Sequence, residues 1–440
     1  MKNKKWMAIL LGGIMAASLA APCSVSAAEK TTITFWHAMG GTNGEVLQQI
    51  VDDFNASQDE IEIKAEYQGT YDDTITKLKA AMQSDSGLPD VCQMYDVGTK
   101  FMYDSGAVIP VEDKFESTGY DKSSVMDVIS SYYTVEGKQY AMPFNVSTPM
   151  LYYNKDVFEA AGLDPETPPT TYDEVLEDAK KIVESGAAPV GYSQAIYGWF
   201  FEQQLAGLGV TYGNNDNGRT EAVTAVDFDS NGGGLKVFDM WKKLYDSGYF
   251  EDYGTTTADT QTAFFSGQVG MFIESTAILK NAVDSSPFEV GTGYLPRIEQ
   301  NDEGGVIIGG GSLWLTDTGN EANEDAAWKF IEYITTPDVQ AKWSMGTGYF
   351  AINEKAYETD DMKAYLEENP NFMTAINQLK DSPVNCNTAG VLSGVQTEAR
   401  LTFNEIMPQV YDGKLTTQDA VDQLAASVNK AIENYNESIK

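Results

Sequence analysis

From Thr31 onward the apolar positions switch between two periods. Ile33 and Phe35, with the residues between them, read as a buried strand that ends at the turn Gly40-Gly41. Val46, Leu47, Ile50, Val51 and Phe54 then recur at helical spacing, and Thr42 with Glu45 three residues on has the pattern of a capping box. Ile61, Ile63, Ala65 and Tyr67 alternate as a strand. Ile75, Leu78 and Met82 return to the helical period, and Pro89-Asp90 opens the strand Val91 to Tyr95. This strand-helix-strand-helix-strand order predicts a mostly parallel sheet covered by helices on both faces. Ligands on such sheets sit beyond the carboxyl ends of the strands. Those ends are Trp36-His37, Gly69-Thr70-Tyr71 and Tyr95-Asp96.

The pattern then starts again. Tyr132 to Phe144 reads as a hairpin turning at Glu136-Gly137, and Asn145-Val146-Ser147-Thr148-Pro149 leads into a strand from Met150 to Tyr153. Pro168-Pro169-Thr170-Thr171 breaks the chain before a second helix, with Thr171 and Glu174 as its capping box. A second lobe follows from this restart. No fixed-period repeat, low-complexity tract or long Gly/Ser linker separates the two, so ordered crossings must join them.

The first residues set the compartment. Lys2, Lys4 and Lys5 precede an apolar run from Trp6 to Ala21, and Val25-Ser26-Ala27 has the small residues of a cleavage site. The expectation is a signal peptide over residues 1–27 and an exported chain; a lipid anchor at Cys23 is the alternative to simple cleavage. About 410 residues remain, too many for one core. The formal charge of -36 is spread along the chain without a basic patch, which argues against nucleic acid or anionic membranes as partners. Beyond the signal segment only Cys92 and Cys386 remain, either paired or as two free thiols. His37 is the one histidine. That count removes Ser-His-Asp, Cys-His and multi-histidine metal chemistry, and it leaves carboxylate-pair hydrolysis open. No cofactor is expected.

Several longer motifs carry a resemblance. Ile33-Thr34-Phe35-Trp36-His37, Pro143 to Pro149 with Leu151-Tyr152-Tyr153-Asn154-Lys155-Asp156, Phe265-Ser266-Gly267-Gln268-Val269-Gly270-Met271, Ile307 to Trp314 and Thr347-Gly348-Tyr349 occur in order from about Thr32 to the C-terminus. The chain resembles the extracellular solute-binding proteins of ABC importers, in particular the glycerol-phosphate binders of the maltose-binding-like group. The resemblance implies an α/β, two-lobed periplasmic-binding-protein fold. Each lobe is then a mostly parallel sheet flanked by helices, with the ligand cleft between them. It places lobe 1 at 28–145 and 276–334, and lobe 2 at 146–275 and 335–440. Crossings fall at Asn145 to Pro149, Glu274 to Ala277 and Ile334 to Pro337. A ligand that bridges both lobes only when they are closed favours the closed state, which presents a surface to the permease.

Carried over residue by residue, the ligand contacts fall on Tyr71, Asp96, Ser147, Ser275, Gly310, Tyr349 and Arg400, with Trp199 on the wall of the cleft. Arg400 is suited to a phosphate because its guanidinium offers parallel N–H donors; its bland reading is a surface salt bridge. Gly310, inside Gly309-Gly310-Gly311, lets backbone N–H groups approach an oxyanion, or is an ordinary strand entry. Ser147 and Ser275 offer hydroxyls at the crossings but equally suit caps or turns. Tyr71 and Tyr349 offer a ring face and a hydroxyl to a polyol. Asp96 stands where the family carries a glutamate, and Ile196 replaces the first of two family tryptophans, Trp199 keeping the second. His37 is better read as a hydrogen-bonded neighbour of the first strand end than as a ligand contact. The implied function is binding without chemistry: glycerol 3-phosphate, a glycerophosphodiester or a related polyol, delivered to ABC permease subunits by a monomer. A neutral mono- or oligosaccharide stacked on Tyr71, Trp199 and Tyr349 is the rival ligand. An extracellular hydrolase and a tyrosine-based metal receptor are the other classes.

Overall fold

A computed structural model describes residues 30–84 and 87–440. The signal segment and Cys23 lie outside the described residues. Twelve strands are seen among those described: β1 (Thr31–His37), β2 (Ile61–Tyr67), β3 (Val91–Tyr95), β4 (Val108–Ile109), β5 (Thr134–Val135), β6 (Lys138–Gln139), β7 (Met142–Ser147), β8 (Pro149–Asn154), β9 (Val190–Ser193), β10 (Val269–Ser275), β11 (Val290–Gly293) and β12 (Gly309–Thr316). The helices that position the site or the core are α1 (Gly41–Ser57), α2 (Tyr71–Ser84), α3 (Tyr172–Ser185), α4 (Gly198–Gly207), α5 (Gly233–Asp246), α6 (Glu321–Ile334), α7 (Pro337–Thr347), α8 (Asn371–Asp381), α9 (Gln396–Tyr411) and α10 (Thr417–Ser438).

The strands form two main sheets. The first runs β2-β1-β3-β12-β4 with β7 also on β12, and the second runs β11-β8-β10-β9. Pairing of β1 with β2 and with β3 is parallel, as the opening pattern predicts. β12 is antiparallel to β3, β4 and β7. The connectivity requires this for β7, which leaves the first sheet at Ser147 while β12 re-enters it beside that residue at Gly309. In the second sheet β8 starts and β10 ends at the same place, with Pro149 opposite Ser275, so this pair is antiparallel too. Alternation along β8 splits its side chains between two cores. Met150 and Tyr152 join the core that includes the first sheet, and Leu151 and Tyr153 join the one built on α3, α4, α5, α9 and α10.

Local signals were partly overridden. Leu47, Ile50, Val51 and Phe54 are the buried face of α1, but the helix begins at Gly41 with Gly40 as its cap, and no side chain caps it. The Thr42–Glu45 box therefore does not form, because the Gly40-Gly41 turn lets the chain enter the helix earlier, with the Gly44 N–H donating to the Gly40 carbonyl. The Thr171–Glu174 box forms in full at α3. Glu136 and Gly137 both take positive φ, 51° and 77°, as a two-residue turn between β5 and β6 requires.

The passages between sheets differ in part from the expected ones. Thr148 links β7 to β8, and its carbonyl accepts from the Thr276 N–H at 2.9 Å, so Glu274–Ala277 does lie against the first crossing. After it, however, the chain returns to the second sheet as β11, paired with β8. The expected return to the first lobe at 276 therefore begins only with the 294–308 passage into β12. Ile334–Pro337 joins α6 to α7, and both helices pack on α1. Gln378 of α8 ties two passages together: its amide donates to the Pro149 carbonyl at 2.7 Å and its oxygen accepts from the Leu295 N–H.

Candidate functional site

The carboxyl ends of the first-sheet strands and the N-terminus of α4 meet along one face of α9. Asp96 follows β3 directly, at the start of a short 3-10 turn. Its Oδ2 accepts from Arg400 Nη2 at 2.7 Å. Arg400 in turn donates from Nε and Nη2 to the two carboxylate oxygens of Glu202, each at 2.7 Å, and Gln396 donates to Glu202 Oε1 at 2.9 Å. Burial alone would depress the Arg400 guanidinium, but Asp96 and Glu202 more than offset that and hold it well above its ordinary value. Burial pushes the Glu202 carboxyl up, opposed by the charge and hydrogen bonds of Arg400. Three strong donors on its two oxygens favour the ionised form. The salt bridge is thus real but buried in the molecule, not on the surface.

A second contact joins the same elements. Tyr95 Oη donates to Asp72 at 2.9 Å and lies 2.7 Å from Thr397 Oγ1, one turn before Arg400 on α9. Tyr71, the first residue of α2, stacks on Tyr95 with ring centroids 5.0 Å apart and 6° between planes. Asn145 of β7 donates from Nδ2 to Tyr71 Oη at 2.6 Å and accepts from Gln93 at 2.7 Å. Tyr349, just beyond α7, hydrogen-bonds within this Tyr71–Asn145 group and stacks on Trp343 at 5.6 Å and 7°. Burial raises the Tyr71 and Tyr349 hydroxyls, so both are neutral donors.

The glycine run is built around this group. Gly310 has φ +91°, and a Cβ there would overlap the Asn145 carbonyl oxygen. A Cβ on Gly309 would lie 2.6 Å from Cζ2 of Trp199. Trp199, the second residue of α4, therefore lies close against β12, and its indole N–H is buried without a partner. Ser147 is buried opposite Gly309. Ser275 sits at the end of β10, and its hydroxyl caps a local turn by accepting from the Ala277 N–H at 3.1 Å. The eight predicted positions thus form one connected region where the two sheets meet. Ile196 is fully buried in the second core, and Tyr197, with its hydroxyl pushed up to about 12 by burial, stands beside Trp199 at 6.2 Å. His37 is buried, its Nδ1 accepting from the Met39 N–H at 3.3 Å. Cys92 and Cys386 are both free.

Sequence reasoning missed Glu202, and it named Tyr95 only as a strand end and Asn145 only as the start of a crossing. A signal existed for Glu202: it lies three residues after Trp199 on the same helix, hence on the same face. A cavity of about 560 Å³ lies apart from these residues, along the 294–308 passage between Pro168, Tyr294, Arg297 and Gln378. It contains none of the predicted contacts, which are instead packed against one another.

Residues 49–374 match the family described as bacterial extracellular solute-binding protein. The chain belongs to that family. Members of it bind small molecules and deliver them to ABC permeases. Among curated relatives, the sn-glycerol-3-phosphate-binding periplasmic protein UgpB of Escherichia coli (strain K12) is 31% identical over 417 residues, covering 93% of this chain and 94% of that one. Among solved structures, a cyclic alpha-maltosyl-1,6-maltose binding protein from Arthrobacter globiformis is 26% identical with a TM-score of 0.76, covering 92% of this chain and 100% of that one. UgpB from Mycobacterium tuberculosis, solved in complex with glycerophosphocholine, shares the fold at a TM-score of 0.79 and 21% identity, covering 93% of this chain and 100% of that one. These likenesses agree with the two-lobed α/β architecture of this solute-binding protein. As an extracellular family it accords with export, and no helix among the described residues is long and apolar enough to cross a membrane.

Proposed function

We propose that this solute-binding protein captures sn-glycerol 3-phosphate or a related glycerophosphodiester between its two sheets and hands it to an ABC permease. The observation that carries the reading is Arg400, a buried guanidinium held between Asp96 at the end of β3 in the first sheet and Glu202 on α4 of the second core. A phosphate oxygen would take donors from Arg400 and from the backbone around Gly310. Tyr71, Tyr349 and Asp96 would take the glycerol hydroxyls, Ser147 and Ser275 the hinge side, and Trp199 the apolar face with its unpartnered N–H. The two sheets would be the cores of two closing lobes, joined at Thr148, at 294–308 and between α8 and α9. The protein would act as a monomer without turnover of its ligand, and nucleic acid would not bind. Support for the ligand class comes from the 31% identical relative that binds sn-glycerol 3-phosphate.

The second reading, a neutral oligosaccharide, is favoured by the tyrosine and tryptophan faces around the site and by the maltose-type binder at 26% identity. Titration calorimetry with sn-glycerol 3-phosphate, glycerophosphocholine and a maltodextrin panel separates the two. Phosphate-ester binding that is abolished in Arg400→Ala supports the first reading. Binding of maltodextrins alone overturns it.

A further inference from the structure

Arg400 is not a free cation. A guanidinium has five N–H donors in two forked edges. The Nε/Nη2 edge is filled by both oxygens of Glu202, and the remaining Nη2 hydrogen goes to Asp96. Only the Nη1 hydrogens are left for a ligand, so a two-pronged phosphate clamp forms only if Asp96 moves away. The charge count points the same way. Arg400 with Asp96 and Glu202 carries one negative charge in excess. Neighbouring charges do not offset it: Arg219, which donates to the Tyr132, Ala389 and Gly390 carbonyls, is matched by Glu274, buried at the end of β10, and Asp72, which accepts from Tyr95 Oη, is a further carboxylate. Around them stand the rings of Tyr71, Tyr95, Tyr197, Tyr349 and Trp199, whose faces attract cations and not anions.

We infer that Glu202 is a specificity-determining residue which, with Asp96, tunes the cleft against phosphate monoesters and toward ligands of zero net charge, a phosphodiester bearing a quaternary ammonium above all. The inference rests on the proposed placement of the ligand at Arg400 and adds the charge class. A monoester brings nearly two negative charges at neutral pH into a site that already has one in excess. A zwitterionic phosphodiester brings none, and it can place its cation against the carboxylates or the tyrosine faces while its phosphate meets Nη1.

The test is calorimetric titration of the wild-type protein and Glu202→Gln with sn-glycerol 3-phosphate and with glycerophosphocholine. Wild type is expected to prefer the zwitterion by about tenfold or more. Removing one carboxylate charge should tighten sn-glycerol 3-phosphate relative to glycerophosphocholine by about tenfold. If the Kd ratio stays within about twofold between the two proteins, or wild type prefers the monoester, the inference is overturned. If neither compound binds wild type, a gain of monoester binding in Glu202→Gln still supports the charge role, and no gain overturns it. Arg400→Ala tested with glycerophosphocholine reports separately on ligand placement. Should Glu202→Gln fail to give a cooperative melt, Asp96→Asn removes the same charge from the other side and carries the same expectations.

Discussion

Replacing Arg400 by Met removes a charge but keeps most of the side-chain volume, and so isolates what the ion triad contributes. The side chains of Arg400, Asp96 and Glu202 are only 9%, 6% and 7% exposed. Truncating one partner of a buried pair strands the other, which costs about 3–5 kcal/mol. Here two carboxylates are stranded together, so the upper half of that range is expected for ligand-free Arg400→Met at pH 7.5. Equilibrium urea unfolding measures the loss, and Arg400→Met/Glu202→Leu should recover part of it because only Asp96 then remains unpaired. The pH dependence has a definite sign. Without Arg400, burial leaves the Glu202 carboxyl above its ordinary range, so the native state holds more protons than the unfolded one. Stability of the variant then falls as pH rises from the ordinary glutamate value through the raised one, and the deficit against wild type shrinks on moving from pH 7.5 to pH 5. A loss below about 1 kcal/mol at pH 7.5, as for exposed ion pairs, would refute the reasoning. It would mean that water reaches both carboxylates and that the two sheets stand apart in ligand-free solution.

Other outcomes follow from single residues. Burial lowers His37 to about 4, and since it is the one histidine, its imidazole NMR signal should titrate near that value; a midpoint near 6.5 would contradict the burial. Because the native state then binds fewer protons than the unfolded state between about 4 and 6.5, His37 makes stability decline as pH falls through that window, and His37→Gln should flatten the decline in urea melts. Gly310→Ala and Gly319→Ala both place alanine at positive φ, but only the first meets backbone atoms. Thermal melts should show about 1–2 kcal/mol lost at Gly319 and clearly more at Gly310. Thr171→Ala should cost about 1 kcal/mol in urea unfolding through the lost cap of α3, and Thr42→Ala much less, since Thr42 caps nothing.

What was legible in the chain is what neighbours in sequence decide. The alternation of Met150 and Tyr152 with Leu151 and Tyr153 shows a strand buried on both faces, and the helical spacing of Leu47, Ile50, Val51 and Phe54 marks the face of α1 that is covered. Both follow from backbone periods that hold wherever the segment packs. The Thr171 box formed because all its partners lie within four residues; the Thr42 box did not, because two preceding glycines offered the chain an earlier turn into the helix. The resemblance placed eight residues in one region but was silent on how they are charged. Asp96 and Arg400 are 304 positions apart, and Glu202 and Arg400 are 198. No local preference relates such residues, and only the return of α9 to the end of β3 and the middle of α4 brings them within 2.7 Å. The sequence alone determined the family and the strand–helix alternation, and it singled out Arg400. The tertiary structure decided that this arginine is already held by two carboxylates, because a buried charge must find partners wherever the packed chain supplies them.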